Sequence, residues 1–181
     1  MPEPKRIGVS IELKPHAYDP AANPELFEGV LARRMMAFVI DLIILSIPVV
    51  FLALFVVAAT IATLGLAGII FALLSPLFWP LIVIWALCYY GMGFGSAASA
   101  TIGMRVMELE MRTWYGAPAY FVLGAVHATV YWLTVSFLTP FILLVGLFND
   151  RRRLLHDMLV GTVVINNPMR AKAIRNSRWR Q

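Results

Sequence analysis

The stretch LIILSIPVVFLALFVVAATIATLGLAGIIFALLSPLFWPLIVIWALCYY, Leu42 to Tyr90, decides the fold class of this chain. It contains no acidic, basic or histidine side chain, and the charge-free run continues to Met104, a length of 63 residues. A helix needs about 20 apolar residues to cross a bilayer, so the run has room for two spans. A soluble domain of 181 residues could not bury so much continuous apolar chain. The sequence therefore predicts an integral membrane protein.

The overall composition agrees with this prediction. Apolar residues make up 60% of the chain and charged residues 14%, and the mean hydropathy is +0.78. Soluble proteins have roughly half apolar and a quarter charged residues. A second apolar run, Thr113 to Asn149, has His127 as its one ionisable side chain. The lone Cys88 lies within an apolar run, so we expect no disulfide, no metal cluster and no cofactor.

The apolar runs divide into three or four membrane segments. The first span is predicted at residues 35–63 and the second at 69–90, separated by the LGLAG break. Tyr89 and Tyr90 end the second span, where aromatic residues are typical of the membrane interface. A third span is predicted at 119–138, and a short fourth element at 139–149 after a break near Thr139–Pro140. The predicted fold is an all-α membrane protein of three to four transmembrane or re-entrant helices with a small cytoplasmic β element.

Basic residues predict the orientation of these segments. Arg33 and Arg34 precede the first span, Arg105 and Arg112 lie in the middle loop, and the tail from Asp150 has a net charge of +6. Basic loops favour the cytoplasmic side. Two spans followed by a re-entrant pair put all three regions there, with both termini cytoplasmic. A plain three-span protein with its tail outside is the alternative.

Short patterns outside the spans predict the remaining elements. NPELFEGVLARRMMAF is typical of an amphipathic helix with Asn23 as its N-cap. RVMELEMR alternates at strand period, and GTVVIN is β-branched, so we expect a small sheet from these two, with IGVSIEL as a third candidate strand. The chain is divided into an N-terminal cytoplasmic segment at 1–27, a membrane domain at 28–166 and a basic tail at 167–181.

Asp41 is the sharpest candidate for a functional residue. It lies inside the first span, seven residues after Arg34, so both side chains share one helix face about 10 Å apart along the axis. A charge within a span costs at least about 2.5 kcal/mol on insertion scales, so it should face protein or water. Two interpretations stay open: a cation- or proton-binding carboxylate, and a structural pair with a basic residue of another segment.

The histidines allow weaker hypotheses. His127 could relay protons or pair with Asp41, although a histidine satisfied by a nearby hydroxyl or carbonyl is the more ordinary interpretation. His156 and Asp157 are adjacent, and adjacent helical side chains diverge by about 100° rather than meeting. The sequence contains no GxSxG, HExxH or P-loop motif, so we predict that the chain is not an enzyme.

The basic tail predicts lipid rather than nucleic acid as its partner. Basic residues beside a span contact anionic lipid, at about 1 kcal/mol each near the surface. Trp179 among arginines is also typical of the interface.

Three stretches in order resemble the RDD family of bacterial membrane proteins, which is named for one arginine and two aspartates. Arg34, Ala37 and Asp41 are similar to its Arg-x-x-Ala-x-x-x-Asp pattern, and ATIGMRVMELE is similar to its Thr-x-Gly-Lys-Arg loop, with Met104 in place of the lysine and Arg105 after it. The third stretch is similar to a terminal Arg-x-x-His-Asp-x-x-x-Gly-Thr pattern; its matching residues are Arg153, His156, Asp157, Gly161 and Thr162. The resemblance covers roughly residues 28–166.

The resemblance implies a set of site residues and a cellular location. Arg34, Asp41 and Asp157 would be the three namesake residues, with His127, His156, Arg105 and Arg153 as secondary candidates. It implies a multi-pass protein of the bacterial inner membrane, for which transport, and in some members cation/proton exchange, has been suggested.

Two functions follow. The first is transport of a small ion or solute with Asp41 as the titrating site, which so few spans would require a homo-oligomer or a partner membrane subunit to complete. The second is a non-transporting scaffold or assembly subunit.

Overall fold

The computed structural model describes residues 17–138 and 145–178. Three sequence predictions lie outside these residues: the IGVSIEL strand, the break at Thr139–Pro140 and the interfacial Trp179. The first element among these residues is a short 3-10 helix at Pro24–Leu26. The further elements, in order, are α1 (Val30–Ala62), α2 (Leu66–Phe94), α3 (Ile102–Val106), β1 (Leu109–Thr113), α4 (Phe121–Leu138), α5 (Leu155–Val160), β2 (Thr162–Asn166) and α6 (Pro168–Arg178).

Two helices, α1 and α2, are long and apolar enough to cross a membrane. They have 33 and 29 residues, so each is longer than the roughly 30 Å hydrocarbon core at 1.5 Å per residue. Their apolar side chains point away from the rest of the chain; Phe51 is 69% exposed and Trp79 is 72% exposed. Such exposure is stable in lipid, and the predicted mostly helical fold with long apolar helices is confirmed.

The break between the two helices lies where the LGLAG stretch predicts it. α1 ends at Ala62 and α2 begins at Leu66, after a turn in which Gly65 has a φ of +99°. Gly68 then packs directly on Thr60, since a Cβ there would lie 2.8 Å from Thr60 Cγ2. The absence of a side chain lets α1 and α2 form a close antiparallel pair.

α4 packs along α2, and the remaining elements gather at one end of the α1–α2 pair. β1 and β2 form an antiparallel two-stranded sheet whose register runs from Leu109 opposite Asn166 to Thr113 opposite Thr162. We call the sheet, the 3-10 helix, α3, α5 and α6 together the polar layer. The sheet confirms the predicted β element made from RVMELEMR and GTVVIN.

The predicted start of the first strand was wrong. Residues 102–106 are helical because the Thr101 side chain caps them, accepting a hydrogen bond from the Met104 N–H at 3.2 Å. Glu108 turns the chain with a φ of +56°, and the strand begins at Leu109. The alternation between faces also ends there, because Leu109, Glu110 and Met111 are all buried.

The predicted helix from Asn23 is also broken. Asn23 precedes the 3-10 helix but makes no capping hydrogen bond with its side chain, and Gly29, at φ +68°, separates that turn from α1. The Asn166 side-chain amide donates to the backbone oxygens of Glu25 and Glu28, at 2.9 Å each. These contacts hold the turn on the sheet, so it cannot continue into α1 as one helix.

The apolar run that contains α4, residues 113–149, begins and ends near the polar layer. Phe121, at the start of α4, lies against Gly91 and Gly95 at the end of α2. Gly146, near the start of the second described range, lies against Leu31 and Leu154. Both described ends of the segment thus lie at the same end of the bundle. The number of segments that cross the bilayer, and the side on which the termini lie, remain predictions.

Candidate functional site

Arg34 and Asp157 form a buried ion pair that joins α1 to the polar layer. Asp157 lies in the first turn of α5, and its side chain is fully buried. Arg34 Nη1 donates to Asp157 Oδ2, and Arg34 Nη2 donates to Oδ1 at 2.9 Å. The Leu154 backbone N–H also donates to Oδ2, at 2.8 Å. Two parallel N–H donors form the strong geometry by which arginine binds a carboxylate.

The charges at this pair follow from its surroundings. Burial alone would raise the pKa of Asp157, but the guanidinium of Arg34 outweighs burial and holds that pKa below its usual value. Burial lowers the pKa of His156 to about 3; the charge of Asp157 opposes the shift and that of Arg34 adds to it. At neutral pH the site therefore combines an arginine, a carboxylate and an uncharged His156.

Hydrogen bonding fixes which nitrogen of His156 carries its proton. Arg34 Nη2 lies 3.2 Å from His156 Nε2, and a guanidinium can only donate. Nε2 is therefore the acceptor, and Nδ1 carries the hydrogen. Nδ1 is buried and has no hydrogen-bond partner within the described part of the chain.

His127 connects α4 to the same ion pair. Its Nδ1 lies 3.2 Å from Thr162 Oγ1, and its Nε2 lies 3.6 Å from Asp157 Oδ1. Among the described residues no hydrogen bond or ion pair joins it to Asp41, and the contact with the Thr162 hydroxyl agrees with the more ordinary interpretation of this histidine. Because β2 presents Thr162 and α5 presents Asp157 on the same side, the His127 ring is held between them.

Three side chains of the kinds that bind metal ions lie at the Arg34–Asp157 ion pair. His127, His156 and Asp157 each offer one ligand atom, and these atoms all lie within 4.8 Å of one another. Arg34 Nη2, however, lies 2.9 Å from Asp157 Oδ1 and 3.2 Å from His156 Nε2. The lone pairs that a metal would use thus already face a guanidinium, and the cation of this site is supplied by the chain itself.

Arg153 positions α5 from the other side. Its Nε donates to the Thr162 backbone oxygen and its Nη2 to the Asp157 backbone oxygen, both at 2.8 Å. The guanidinium lies over the Trp114 ring, 4.6 Å from its centroid. Arg153 therefore fixes the turn between α5 and β2 and contacts the backbone of Asp157 rather than its carboxylate.

Asp41 forms a second, separate contact between α1 and the polar layer. Its Oδ1 accepts hydrogen bonds from Tyr89 Oη at 2.5 Å and from the Gly103 backbone N–H at 2.7 Å. Its Oδ2 accepts one from Thr101 Oγ1 at 2.6 Å. The side chain is buried and has no ion pair with any residue that the structure describes. Neutral donors alone therefore stabilise this carboxylate.

Gly103 makes the Asp41 contact sterically feasible. A Cβ at this position would lie 2.2 Å from the Ala37 backbone oxygen and 2.7 Å from Asp41 Oδ1. Only glycine lets α3 approach α1 closely enough for its N–H to reach the carboxylate. The Thr-x-Gly spacing in the sequence therefore supplies one hydroxyl and one N–H to the same side chain.

The sequence did not indicate Tyr89 as a partner of Asp41. Tyr89 and Tyr90 were predicted to lie at the membrane interface, but they are only 8% and 7% exposed. Their position 48 residues after Asp41 at the end of an apolar helix gave no signal of this contact. Arg105 lies outside both carboxylate contacts, with its Nε donating to the Ala100 backbone oxygen at 3.1 Å and its Nη2 to Ser96 Oγ at 2.6 Å.

A cavity of about 380 Å³ lies between α1 and α4, beside both carboxylate contacts. Arg34, His127 and His156 line it on the ion-pair side, and Asp41 and Thr101 line it on the other. The rest of the wall is mainly apolar.

The RDD family model matches residues 29–161 of the 181, from the start of α1 to the turn before β2. This chain belongs to the RDD family. Searches of curated proteins and of solved structures found no match. RDD membership and the two apolar helices together fit a membrane protein. Arg34, Asp41 and Asp157, which the sequence resemblance marks as the namesake residues, form two of the contacts between α1 and the polar layer.

Proposed function

We propose that this RDD chain is a non-transporting membrane scaffold, in which Arg34, Asp41 and Asp157 fix the polar layer on the first membrane helix. The observation that carries the proposal is that every oxygen of the two carboxylates accepts a hydrogen bond from the chain. A transported cation needs carboxylate oxygens that can exchange protein donors for the ion. Here such an exchange would leave several buried donors unpaired, at about 1–3 kcal/mol each.

The arrangement of the two contacts supports a scaffold. Arg34 and Asp41 are about 10 Å apart along α1, and they bind different elements, α5 and α3. One contact would leave α1 free to rotate about it. Two contacts on one helix face fix both its rotation and its depth relative to the polar layer. A rigid platform of this kind is suited to hold a partner membrane subunit or a second copy of the chain.

The test compares Asp41→Asn with wild type in two assays. Purified protein in vesicles is tested for flux driven by a proton or cation gradient, and membrane abundance and thermal unfolding are measured in parallel. We expect no flux from either protein and a lower unfolding temperature for Asp41→Asn, because an amide cannot accept all three hydrogen bonds. Glu28→Gln is the matched control, since that carboxylate is exposed and pairs with Arg178 at the surface.

The scaffold proposal fails if wild type transports and Asp41→Asn abolishes the flux while remaining folded. That result would favour the alternative, transport with Asp41 as the titrating site, which is supported by the cavity that reaches this carboxylate. We propose no enzymatic activity in either case.

We further propose that the protein lies in the bacterial inner membrane with the polar layer in the cytoplasm. α6 carries four basic side chains and would face anionic lipid. Three of them already have acidic partners: Arg170 pairs with Glu108 at 3.9 Å, Arg175 with Glu25 at 3.7 Å and Arg178 with Glu28 at 2.5 Å. The lipid contact would therefore rest mainly on Lys172. Fusion of a cytoplasm-dependent fluorescent reporter to the C-terminus tests the orientation.

A further inference from the structure

The cavity between α1 and α4 has the form of a binding site for a small amphiphile. Its volume of about 380 Å³ is within the range of small-molecule sites, about 300–1,000 Å³. α2 closes it from behind with Tyr90 and Phe94, and the polar layer closes one end with Leu154 and Val164. On the α1 side the wall includes Met35 and Val39, which are 51% and 47% exposed. The site therefore opens sideways, where a membrane protein meets lipid.

One buried polar atom of this wall lacks a partner. His156 lines the cavity and is 1% exposed, and its Nδ1 carries a hydrogen with no acceptor in the described part of the chain. A buried donor left without an acceptor costs about 1–3 kcal/mol. Native proteins seldom keep such a donor without a ligand or an ordered water to accept from it. A ligand oxygen at this end of the cavity would supply the acceptor that the N–H lacks.

The charges around the cavity select the class of acceptor. Arg34 is neutralised by Asp157, so its charge is not available to a ligand. Asp41 adds a negative charge to the wall, which disfavours an anionic head group. The His156 N–H, in turn, repels a cation. A neutral oxygen acceptor on an apolar chain fits all three conditions.

We propose that this cavity binds a neutral membrane amphiphile whose carbonyl oxygen accepts a hydrogen bond from His156 Nδ1 and whose apolar chain leaves past Met35 and Val39. The carbonyl can belong to a quinone or to a lipid ester. The inference is independent of the scaffold proposal, since it rests on the cavity and the unpaired donor rather than on the two carboxylates.

The experiment measures equilibrium binding of two labelled probes to the purified full chain in a maltoside detergent, which has no carbonyl group. The probes are a decyl-substituted benzoquinone and a short-chain diacylglycerol. We expect saturable binding of one or both, and the probe that binds more tightly identifies the source of the carbonyl. Dodecylbenzene, which is apolar but has no carbonyl, should compete at least tenfold more weakly.

Variants locate the binding. Val39→Trp narrows the opening and should weaken binding at least tenfold. Val57→Trp, on the same helix outside the cavity and 57% exposed against 47% for Val39, should not change it. His156→Phe keeps a ring but removes the N–H. It should weaken binding of the carbonyl-containing probe without changing the affinity for dodecylbenzene. The proposal is overturned if neither probe saturates, if Val39→Trp binds like Val57→Trp, or if dodecylbenzene competes as well as the probes.

Discussion

Replacing Arg34 by alanine should destabilise the protein strongly and convert its site into one for zinc. The substitution leaves the Asp157 carboxylate buried, with the Leu154 N–H as its remaining close donor. Removing one partner of a buried ion pair costs about 3–5 kcal/mol. Arg33→Ala is the matched control. In its ion pair with Glu108, the Arg33 side chain is 20% exposed and the Glu108 side chain is 47% exposed. Ion pairs at the surface contribute about 0–1 kcal/mol to stability.

The geometry of the vacated site predicts that zinc will restore stability. In tetrahedral coordination, ligands at about 2.0–2.1 Å from zinc are about 3.3–3.4 Å from each other. Asp157 Oδ1 lies 3.5 Å from His156 Nε2 and 3.6 Å from His127 Nε2, which is close to that spacing. Without Arg34 these three atoms can bind zinc with water as the fourth ligand. At a free zinc concentration 100-fold above the dissociation constant, the gain in stability would be about 2.7 kcal/mol.

The assay is thermal unfolding in detergent with and without zinc, followed by chelator. We expect Arg34→Ala to recover part of its lost stability with zinc and to lose it again with chelator. Wild type should not respond, because Arg34 Nη2 lies against two of the ligand atoms. The double variant Arg34→Ala, His156→Phe should not recover. The reasoning is refuted if Arg34→Ala costs no more than Arg33→Ala, or if zinc stabilises wild type equally.

Three further predictions concern the two carboxylate contacts. Gly103→Ala should prevent stable folding or lower membrane abundance severely, since its Cβ would lie 2.2 Å from a backbone oxygen. The control is Gly65→Ala, which has nothing within 4 Å of its Cβ and should cost only the strain of its positive φ. Equal abundance of the two variants would contradict this prediction. Tyr89→Phe should lower the free energy of unfolding by about 1–3 kcal/mol in denaturant titrations, and an unchanged midpoint would mean that its hydroxyl does not bind Asp41. The free energy of unfolding should fall by roughly 1.4 kcal/mol per pH unit as the pH is lowered from about 6.5 towards 3. In this range His156 of the unfolded chain binds a proton, whereas His156 of the folded chain, with its pKa lowered to about 3, does not. His156→Phe should flatten that slope.

The membrane helices could be predicted from sequence because hydropathy directly reports the solvent of a segment. The small sheet could be predicted because β-branched and alternating runs are local signals. The start of β1 could not be predicted, since it depends on a capping hydrogen bond from the Met104 N–H to the Thr101 hydroxyl oxygen, which makes the residues before the strand helical. Strand alternation in RVMELEMR was present in the sequence, but local capping outweighed it.

The contacts of the site were harder to predict. Opposite charges and the family resemblance grouped Arg34 with Asp157, but nothing in a separation of 123 residues specifies a bidentate pair. Tyr89 was assigned to the interface because hydropathy indicates how deep a residue lies and not which way it faces along an almost uniformly apolar helix. The side of α2 that faces Asp41 is determined by packing against α1 and α4, which is a tertiary property.

The way Asp41 is stabilised also bears on Met104, which stands where the Thr-x-Gly-Lys-Arg pattern that this sequence resembles has a lysine. A charge at the centre of a membrane helix costs about 2.5–3.5 kcal/mol on insertion scales. Hydrogen bonds to a charged group contribute about 1.5–3 kcal/mol each, so the three that Asp41 accepts can offset this cost without any cation. A lysine after the Thr-x-Gly sequence is therefore not required to neutralise it, and Met104 at that position is a buried, apolar part of the cavity wall. Dipoles, rather than an opposite charge, hold this carboxylate in place, so its position depends on Tyr89, Thr101 and Gly103.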